Sequence, residues 1–401
     1  MSPATVRSRY PRIILKPGRE ASLLRGHPWI FSGAVASVEG SPEPGDISSV
    51  STHGGSPLGL GFCNPRSDII FRLLTADAAT LIDHRFWQHR IRSSLSLRKK
   101  IVPEGTTACR LINAEGDGMP GLVVDRYNEY LVFAIATAGM ERERQSILRI
   151  LQEEMRPSGL YERSEGRARQ SEGLFDRIGP ACGNAPPDTV EIMENHLLFT
   201  IDIATGQKTG FFLDQRNNRE LIERLSSHAT VLNCFAYTGA FSAYSIRGGA
   251  RRVISVEISA AAGEMARQNL QRNGYSPEDH PIIRSDAFTY LRETRETFDM
   301  IILDPPAFAK AKKDVAKSSR GYKDINLHAV NHLKDGGILV TFSCSNYIDT
   351  DLFQKIVLSA VRDAGKTAQL LQTLGPGPDH PTNLAHPEGR YLKGLLLCVN
   401  R

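Results

Sequence analysis

Four residues in the second half of the chain have types and spacing that suit the binding of an adenosine group. They follow successive apolar runs of the sequence and are, in chain order, Gly239, Glu257, Asp286 and Asp304. A glycine lets the backbone approach a ligand closely, and a carboxylate can accept hydrogen bonds from both ribose hydroxyls or from the adenine amino group. Each residue alone would often be only a turn or a helix cap. Their ordered recurrence predicts an adenosine-containing cofactor.

Strands and helices alternate from about residue 190 onward, which is typical of a doubly wound parallel sheet. The strand candidates are nearly continuous apolar runs, as expected of strands covered on both faces, at 231–235, 253–256, 300–303 and 338–342. A helix is predicted at 259–272, with Ser259 as its N-cap and Asn273-Gly274 at its end. In such a sheet the ligand lies beyond the carboxyl ends of the strands, where the cofactor candidates fall.

The first half of the chain has a different pattern. Short β-like runs separated by Gly and Pro predict a small β-barrel, at 13–15, 29–32, 47–51, 58–62 and 69–73. A second segment mixes helices and strands, with helices predicted at 83–100 and 141–154 and strands at 121–125 and 130–135. The stretch 179–187, rich in Gly and Pro, predicts a linker. The predicted fold class is therefore α/β, with domains at 1–80, 81–190 and 191–401.

Composition and charge exclude several other classes of protein. The net charge of +5 permits a polyanionic partner but does not establish one. The six cysteines lack the C-x-x-C spacing of zinc or redox sites, so neither a metal nor a disulfide framework is predicted. The sequence contains no run of eighteen apolar residues and no signal-peptide pattern at its start. We therefore expect no membrane partner and a cytoplasmic location.

A nicotinamide-dependent dehydrogenase would use the same kind of sheet. Its G-x-G-x-x-G fingerprint is absent, because Phe235 and Tyr237 stand where glycines are expected. The loss of these glycines also departs from a simple methyltransferase loop. At this point the residues alone leave the choice between adenosine cofactors open.

Several longer motifs identify a family by resemblance. They are 24–33 (LRGHPWIFSG), 118–127 (GMPGLVVDRY), 161–164 (YERS), 206–216 (GQKTGFFLDQR) and 233–239 (NCFAYTG). They span nearly the whole chain, which resembles the bacterial 23S ribosomal RNA 5-methylcytosine methyltransferases with an N-terminal PUA domain. The segment 206–216 is the most specific of these motifs.

The resemblance implies a C-terminal Rossmann-like class I methyltransferase domain, an N-terminal PUA β-barrel and a small α+β middle domain. It also implies S-adenosylmethionine as the cofactor and 23S rRNA, or a precursor of the large subunit, as the partner. In that family the segment 206–216 folds over the cofactor. The resemblance therefore implies cofactor contacts for Phe211, Asp214 and Arg216. With the loop after the first strand and the strand-end acids, the expected cofactor-binding residues are Phe211, Asp214, Arg216, Asn233, Phe235, Tyr237, Thr238, Gly239, Glu257, Asp286 and Asp304.

Cys344 combines two features that no other cysteine of the sequence shares. It follows the run 338–342 directly, and it therefore falls at the same sheet edge as Asp304. Carbon 5 of cytosine is a poor nucleophile, and the resemblance implies that the Cys344 thiolate activates it by adding to carbon 6. Cys234, within the end of the first strand run, is expected to be a buried core residue.

Asp304 is the expected catalytic partner of Cys344, contacting the base at nitrogen 3 or at the exocyclic amine. A thiol with an ordinary pKa of about 8.5 is mostly protonated at neutral pH, so the site should lower this pKa or deprotonate the thiol on binding. The base that removes the carbon 5 proton is not identified. Some RNA cytosine methylases carry a second cysteine after their Pro-Pro pair, but Ala307 occupies that position here.

Basic residues at two places are candidates for RNA contacts. One set follows the Asp-Pro-Pro turn and consists of Lys310, Lys312, Lys313, Lys317, Arg320 and Lys323. The other lies near the N-terminus and consists of Lys16, Arg19, Arg25 and His27, with Trp29 expected to be mainly a core residue. Lysine and arginine neutralise phosphates, although a solvated charged loop has the same composition.

Two other functions compete with this interpretation. A guanine methyltransferase could use the Asp-Pro-Pro-x-Phe element at 304–308 without covalent attack, and it would not need Cys344. An RNA-binding assembly factor could hold an adenosine ligand for structural reasons only. The oligomeric state is left open, with a homodimer as one option.

Overall fold

The N-terminal part of the chain forms a mainly antiparallel sheet. The structure, a computed structural model, describes residues 10–309 and 311–401, without the side chain of Lys312. The strand order is β2-β6-β5-β4-β1-β3. The elements are β1 (Arg12–Leu15), α1 (Ala21–Leu24), β2 (Trp29–Phe31), β3 (Val35–Glu39), β4 (Asp46–Ser51), β5 (Pro57–Cys63) and β6 (Ile69–Thr75). Each predicted run falls on a strand, whereas β3 was not predicted because its side chains are mostly exposed and partly polar.

The middle part packs helices against a second sheet, in the order β11-β10-β9-β8-β7. Its elements are α2 (His84–Ile101), β7 (Ala108–Asn113), β8 (Leu122–Tyr127), β9 (Tyr130–Ile135), α3 (Ala138–Arg142), α4 (Arg144–Met155), β10 (Gly159–Ser164), α5 (Arg167–Ser171) and β11 (Arg177–Gly183). The predicted linker at 179–187 is wrong for its first half, because these residues belong to β11. Pro180 is tolerated there because β11 is an edge strand.

The C-terminal part contains the predicted doubly wound sheet, in the order β16-β15-β14-β17-β18-β20-β19. A hairpin of β12 (Val190–Glu194) and β13 (Leu197–Ile201) precedes it. The remaining elements are α6 (Arg216–Leu225), β14 (Thr230–Cys234), α7 (Ala240–Arg247), β15 (Arg252–Glu257), α8 (Ala260–Arg272), β16 (Ile282–Arg284), α9 (Ala287–Glu293), β17 (Phe298–Leu303), α10 (Val315–His332), β18 (Leu333–Ser343), α11 (Thr350–Asp363), β19 (Thr367–Leu374) and β20 (Lys393–Asn400). The α/β fold class is confirmed.

Strand pairing in this sheet brings the predicted site residues to one edge. The strands β16, β15, β14, β17 and β18 run parallel, so their carboxyl ends meet there. The strand β20 is antiparallel and lies between β18 and β19. Apolar cores cover both faces of the sheet, with Leu232 in one and Val231 in the other. This burial on both faces explains the continuous apolar runs.

The predicted start and end of the helix after β15 are confirmed. The Ser259 hydroxyl accepts a hydrogen bond from the Ala262 amide at 3.3 Å, as an N-cap residue does. The helix ends at Arg272, and Gly274 has a φ of +78°, which suits the residue that turns the chain away from a helix.

A buried network of charged side chains joins the middle part to the connection between β19 and β20. The Asp379 carboxylate, which is 0% exposed, accepts hydrogen bonds from the Arg216 guanidinium and the Arg110 amide, both at 3.1 Å. The Asp379 carbonyl accepts one from Arg98 at 2.8 Å. The connection 375–392 therefore links the middle sheet to the C-terminal sheet.

Within the described part of the chain, no helix is both long enough and apolar enough to cross a membrane.

Candidate active site

A cavity of about 180 Å³ opens at the carboxyl edge of the large sheet. The predicted residues that line it are Phe211, Asp214, Phe235, Tyr237, Thr238, Glu257, Asp304 and Cys344. Side chains that sequence reasoning missed also line it, among them Lys208, Gln215, Arg219, Ile258 and Leu392. Residues from the strand ends and from the segment 206–216 thus line one cavity.

The turn after β14 has an unusual backbone. Phe235 and Tyr237 have φ angles of +60° and +47°, in the left-handed region that costs a non-glycine residue about 1–3 kcal/mol. The Tyr237 amide donates to Glu257 at 2.8 Å, and the Tyr237 hydroxyl accepts a hydrogen bond from the Gln207 amide at 3.0 Å. These bonds fix the turn between β15 and the segment 206–216.

Gly239 serves the packing of this turn. Its φ is +79°, and a Cβ at this position would lie 3.0 Å from the Cβ of Ala266 in α8. Glycine is therefore required by the backbone conformation and by the close approach of α8. Gly239 is not among the residues that line the cavity.

Glu257 presents a fixed carboxylate at the cavity wall. One oxygen accepts the Tyr237 amide and the other accepts the Ser259 amide at 2.9 Å. Each carboxylate oxygen has a second acceptor position, which can bind a hydroxyl group. This arrangement fits the ribose of an adenosine.

Asp214 is buried in the cavity wall as an ionised carboxylate. Its Oδ2 accepts hydrogen bonds from the Lys208 ammonium and the Tyr391 hydroxyl, both at 2.6 Å. Burial raises the pKa of Asp214, but the charges of Lys208 and His380 outweigh it and hold the pKa below its usual range. Its Oδ1 is buried without a hydrogen-bond partner among the described residues. Such an acceptor fits a ligand that donates an N–H group.

Asp304 lines the cavity and has a raised pKa. The Gln215 side-chain amide donates to its Oδ2 at 3.0 Å. Burial, together with the negative charge of Asp214, raises the pKa of Asp304 to about 7. At neutral pH this group can therefore act both as a hydrogen-bond donor and as an acceptor.

Cys344 follows β18 and shares the cavity with Asp304. Its Sγ lies 3.9 Å from the Pro305 carbonyl oxygen. Burial, with a contribution from Asp304, raises the pKa of the Cys344 thiol. The surrounding side chains therefore do not lower this pKa, contrary to one of the two expected routes to a thiolate. The other expected route, in which the Cys344 thiol loses its proton when the RNA binds, stays a prediction.

Cys234 occupies the interior of the sheet. Its side chain is 0% exposed, and burial raises the pKa of its thiol well above the usual value. A neutral buried thiol is not a nucleophile, so this residue acts as a core side chain.

Comparison with known proteins shows the family to which this chain belongs. Residues 115–384 match the family model of S-adenosylmethionine-dependent methyltransferases, and residues 13–76 match that of PUA-like domains. Ribosomal RNA large subunit methyltransferase I of Aeromonas salmonicida is 44% identical over 389 residues, which are 96% of this chain and 98% of that relative. The chain belongs to the S-adenosylmethionine-dependent methyltransferases. Its cofactor is S-adenosylmethionine.

Other relatives of the methyltransferase agree. Ribosomal RNA large subunit methyltransferase I of Klebsiella pneumoniae is 41% identical over 396 residues, covering 98% of this chain and 99% of the relative. The solved structure of a SAM-dependent methyltransferase from Streptococcus mutans has a TM-score of 0.83 and 21% identity, covering 96% of this chain and 99% of the other. The family resemblance seen in the sequence is confirmed by the relatives, and the fold by the solved structure.

Some expected cofactor contacts of the methyltransferase lie outside the cavity wall. The Arg216 side chain is 1% exposed and pairs with Asp379 at 3.0 Å. The Asn233 side chain is buried and donates to Ser242 at 2.9 Å. Asp286 accepts the Thr289 amide at 3.0 Å as the N-cap of α9. For Arg216, burial against Asp379 argues against a direct cofactor contact, whereas the buried Oδ1 of Asn233 has no hydrogen-bond partner among the described residues.

The basic residues that were expected to bind RNA have different environments. In the set after the Asp-Pro-Pro turn, Lys313, Lys317 and Arg320 are exposed, whereas Lys323 pairs with Asp363 at 2.6 Å. Lys310 and the side chain of Lys312 lie outside the described residues. In the N-terminal set, the exposed residues are Lys16, Arg19 and Arg25.

Trp29 connects the N-terminal sheet to two other parts of the chain. Its indole N–H donates to Glu115 at 3.0 Å, and its ring packs on His386 with 4.3 Å between ring centroids. His27 bonds Glu388 at 3.2 Å beside it. This N-terminal surface therefore contacts both the middle part and the connection 375–392.

Proposed function

We propose that this methyltransferase transfers a methyl group to carbon 5 of a cytosine in 23S rRNA, or in its precursor, through a covalent adduct with Cys344. The observation that carries the proposal is the shared cavity of Cys344, Asp304 and the cofactor residues. The relatives are named ribosomal RNA large subunit methyltransferase I, and the N-terminal part is PUA-like. Both findings support an RNA substrate.

Cys344 and Asp304 divide the chemistry of this proposal. The Asp304 carboxylate accepts the thiol proton, and the resulting thiolate adds to carbon 6 of the base. The protonated Asp304 then donates to nitrogen 3, where negative charge develops. Because its pKa is about 7, Asp304 can change protonation state at neutral pH. Carbon 5 then takes the methyl group, and the electron pair of the broken bond stays on the cofactor sulfur. Water or another basic group removes the carbon 5 proton, the thiolate leaves carbon 6, and nitrogen 3 returns its proton to Asp304.

The residues of the cavity fit the cofactor. We propose that Glu257 binds the ribose hydroxyls and that the free Oδ1 of Asp214 accepts the amino group of the methionine moiety. S-adenosylmethionine supplies an electrophilic methyl group when it is bound. The aromatic side chains of Phe211, Phe235 and Tyr237 provide apolar wall around these polar groups. Thr238 and Asp286 are also proposed to contact the cofactor. One carboxylate oxygen of Asp286 accepts the Thr289 amide, so the other oxygen would bind the cofactor.

We propose that two sets of basic residues bind the phosphates of the RNA. One comprises Lys310, Lys312, Lys313, Arg320 and Lys323, and the other comprises Lys16, Arg19 and Arg25. Neutralising phosphates makes such binding weaker at higher salt. The target base is proposed to leave its stack, because addition to carbon 6 needs access to the ring face.

The proposal includes the organisation and location of the protein. Domain boundaries near residues 80 and 190 are supported by β6 ending at Thr75 and by β12 starting at Val190. The cytoplasm is the proposed location, because the proposed substrate is ribosomal RNA.

A homodimer is one option for the oligomeric state, and sedimentation velocity would measure it.

The decisive experiment compares products from wild-type protein, Cys344→Ala and the control Cys398→Ala. Each is incubated with labelled S-adenosylmethionine and undermodified 23S rRNA, and the labelled nucleoside is identified after digestion. Wild type and the control should give 5-methylcytidine, and Cys344→Ala should give none. Labelled methylguanosine from all three proteins would instead establish the guanine methyltransferase. The absence of any label transfer from wild type would favour an assembly factor.

A further inference from the structure

A buried lysine beside Cys344 has no role in the chemistry described so far. Lys393 is the first residue of β20, and it pairs with Ser343 across the antiparallel strands. Its side chain is 5% exposed. The position after Ser343 is Cys344, so the lysine lies next to the turn that carries the nucleophile.

The hydrogen bonds of Lys393 tie it to this turn. Its Nζ donates to the Ser345 carbonyl at 2.7 Å and to the Tyr391 carbonyl at 2.7 Å. The bonded carbonyls therefore belong to the residue after Cys344 and to a residue beside the cavity. Among the residues that the structure describes, no carboxylate forms an ion pair with Lys393.

A buried cation without an anionic partner is unfavourable, because neutral carbonyls replace only part of its hydration. Burial accordingly lowers the pKa of Lys393 to about 8, while Cys344 and Asp349 act in the opposite direction. Groups whose pKa is shifted by burial cluster at functional sites, so the position of Lys393 beside Cys344 indicates a role in the reaction.

Within the described part of the chain, the other charges around Cys344 do not provide a free cation. Lys208 faces the thiol, but its ammonium is paired with Asp214 at 2.6 Å. Asp304 and Asp214 both raise the pKa of the thiol. Among the residues that the structure describes, unpaired positive charge near Cys344 therefore lies only on the side of β20.

We propose that Lys393 is a positioning residue that holds the turn of Cys344 and balances the charge of its thiolate. This inference rests on the proposed role of Cys344 as the nucleophile. Lys393 is protonated below its pKa of about 8 and takes no proton in this step, because the thiol proton passes to Asp304. When Sγ becomes negative, the ammonium gains the anionic partner that it lacks in the resting protein.

Alkylation of Cys344 by iodoacetamide tests the charge directly, because only the thiolate reacts and no RNA is needed. The rate is followed against pH by mass spectrometry of the Cys344 peptide, in wild type, Lys393→Gln and Lys393→Arg. Glutamine keeps a hydrogen-bond donor without the charge, and arginine keeps the charge.

Lys393→Gln should raise the midpoint pH of alkylation by about one unit or more, as expected for the loss of a neighbouring opposite charge. Its rate at pH 7.5 should then fall about tenfold. Lys393→Arg should stay closer to wild type. An unchanged midpoint in Lys393→Gln would overturn the proposal.

A matched control separates this effect from a general loss of packing. The Nζ of Lys366 also donates to two backbone carbonyls, those of Val330 and Leu333, at 2.7 and 2.9 Å. Lys366 precedes β19, whereas Cys344 follows the carboxyl end of β18. Lys366→Gln should therefore leave the alkylation midpoint unchanged, and an equal shift in this control would also overturn the proposal.

A second measurement applies if Lys393→Gln does not fold. The titration of Lys393 is followed by NMR of ¹³Cε-labelled lysine in wild type and in Cys344→Ser. Removing the thiol should lower the midpoint of Lys393, and an unchanged midpoint contradicts the coupling. Both readouts are independent of the product analysis, so failure of the cytosine assignment and failure of the Lys393 role are distinguishable.

Discussion

At the level of single residues, burial raises the pKa of both the Asp304 carboxyl and the Cys344 thiol. The resting pair is therefore a carboxylate and a neutral thiol above pH 7. Transfer of one proton between them produces the acid and the nucleophile that the proposed reaction needs. A single proton can thus serve both groups, which explains why the two residues share one cavity.

Replacement of Asp304 tests this division of roles. Asp304→Asn should lower kcat/KM about 10²–10⁴-fold, because the general acid is lost. In wild type, kcat/KM should fall as the pH drops below about 7, where Asp304 becomes protonated and cannot accept the thiol proton. Steady-state kinetics from pH 6 to 9 measure both effects. A wild-type level of activity in Asp304→Asn would contradict the assignment.

The same substitution has an opposite effect on stability. The raised pKa of Asp304 means that the folded protein holds a proton that the unfolded chain loses near its ordinary pKa of 3.8. The stability contribution of this group is therefore present at low pH and is lost as pH rises toward 7. Asp304→Asn should raise the melting temperature at pH 8 relative to wild type, and the gain should disappear at pH 4.

At the level of elements, the segment 206–216 is held from several sides. The Thr209 hydroxyl donates to Asp125 of β8 at 2.6 Å and bonds the Tyr127 hydroxyl at 2.7 Å. The Tyr391 hydroxyl bonds Asp214 from the connection 375–392. Because Asp214 and Phe211 of this segment line the cavity, the middle sheet contributes to the cofactor site without entering it.

Thr209→Val should weaken cofactor binding through this contact. Valine keeps the shape of threonine but removes both hydrogen bonds, leaving Asp125 and Tyr127 with fewer partners. We expect the Kd for S-adenosylmethionine to rise about tenfold, which corresponds to about 1.4 kcal/mol. Isothermal titration calorimetry measures the change. Thr205→Val, at an exposed position of the same region, is the control and should bind as wild type does.

The sequence predicted those strands and site residues that a pattern of neighbouring residues marks. The strands β14, β15, β17 and β18 are apolar on both faces, and the motif residues follow them, so both were found. The strands β19 and β20 were not predicted. The strand β11 was missed because Gly179 and Pro180 resemble a linker. Lys393 was missed because nothing near it in sequence marks it, and its meaning comes from the pairing of β20 with β18.

At the level of the whole molecule, the connection 375–392 joins all three parts. His386 contacts Trp29 of the N-terminal sheet, Asp379 pairs with Arg216, and Leu392 lines the cavity. The Arg98–Asp379 bond spans 281 positions of sequence, which no local pattern reveals. The orientation of the parts was therefore beyond sequence reasoning.

Asp379→Asn should destabilise the whole protein. It leaves the buried Arg216 guanidinium without its counter-charge, a change that costs about 3–5 kcal/mol. Burial raises the pKa of Asp379, but His380 and Arg216 hold it below the usual range. Its contribution is therefore present above pH 3.8 and is lost as the pH falls through the depressed pKa.

Urea unfolding at pH 7 measures this difference, with Asp351→Asn as the control. Asp351 forms an exposed pair with Lys355, so its loss should cost less than about 1 kcal/mol. Equal midpoints for Asp379→Asn and wild type would show that the network does not stabilise the fold.

The position of β20 inside the sheet also sets the order in which the enzyme is completed during translation. This strand fits between β18 and β19, both of which leave the ribosome before it. Until it is inserted, β18 lacks one neighbour and Leu392 has not reached the cavity. A nascent chain can fold its N-terminal parts earlier, and we expect it to gain methyl-transfer activity after the insertion of β20.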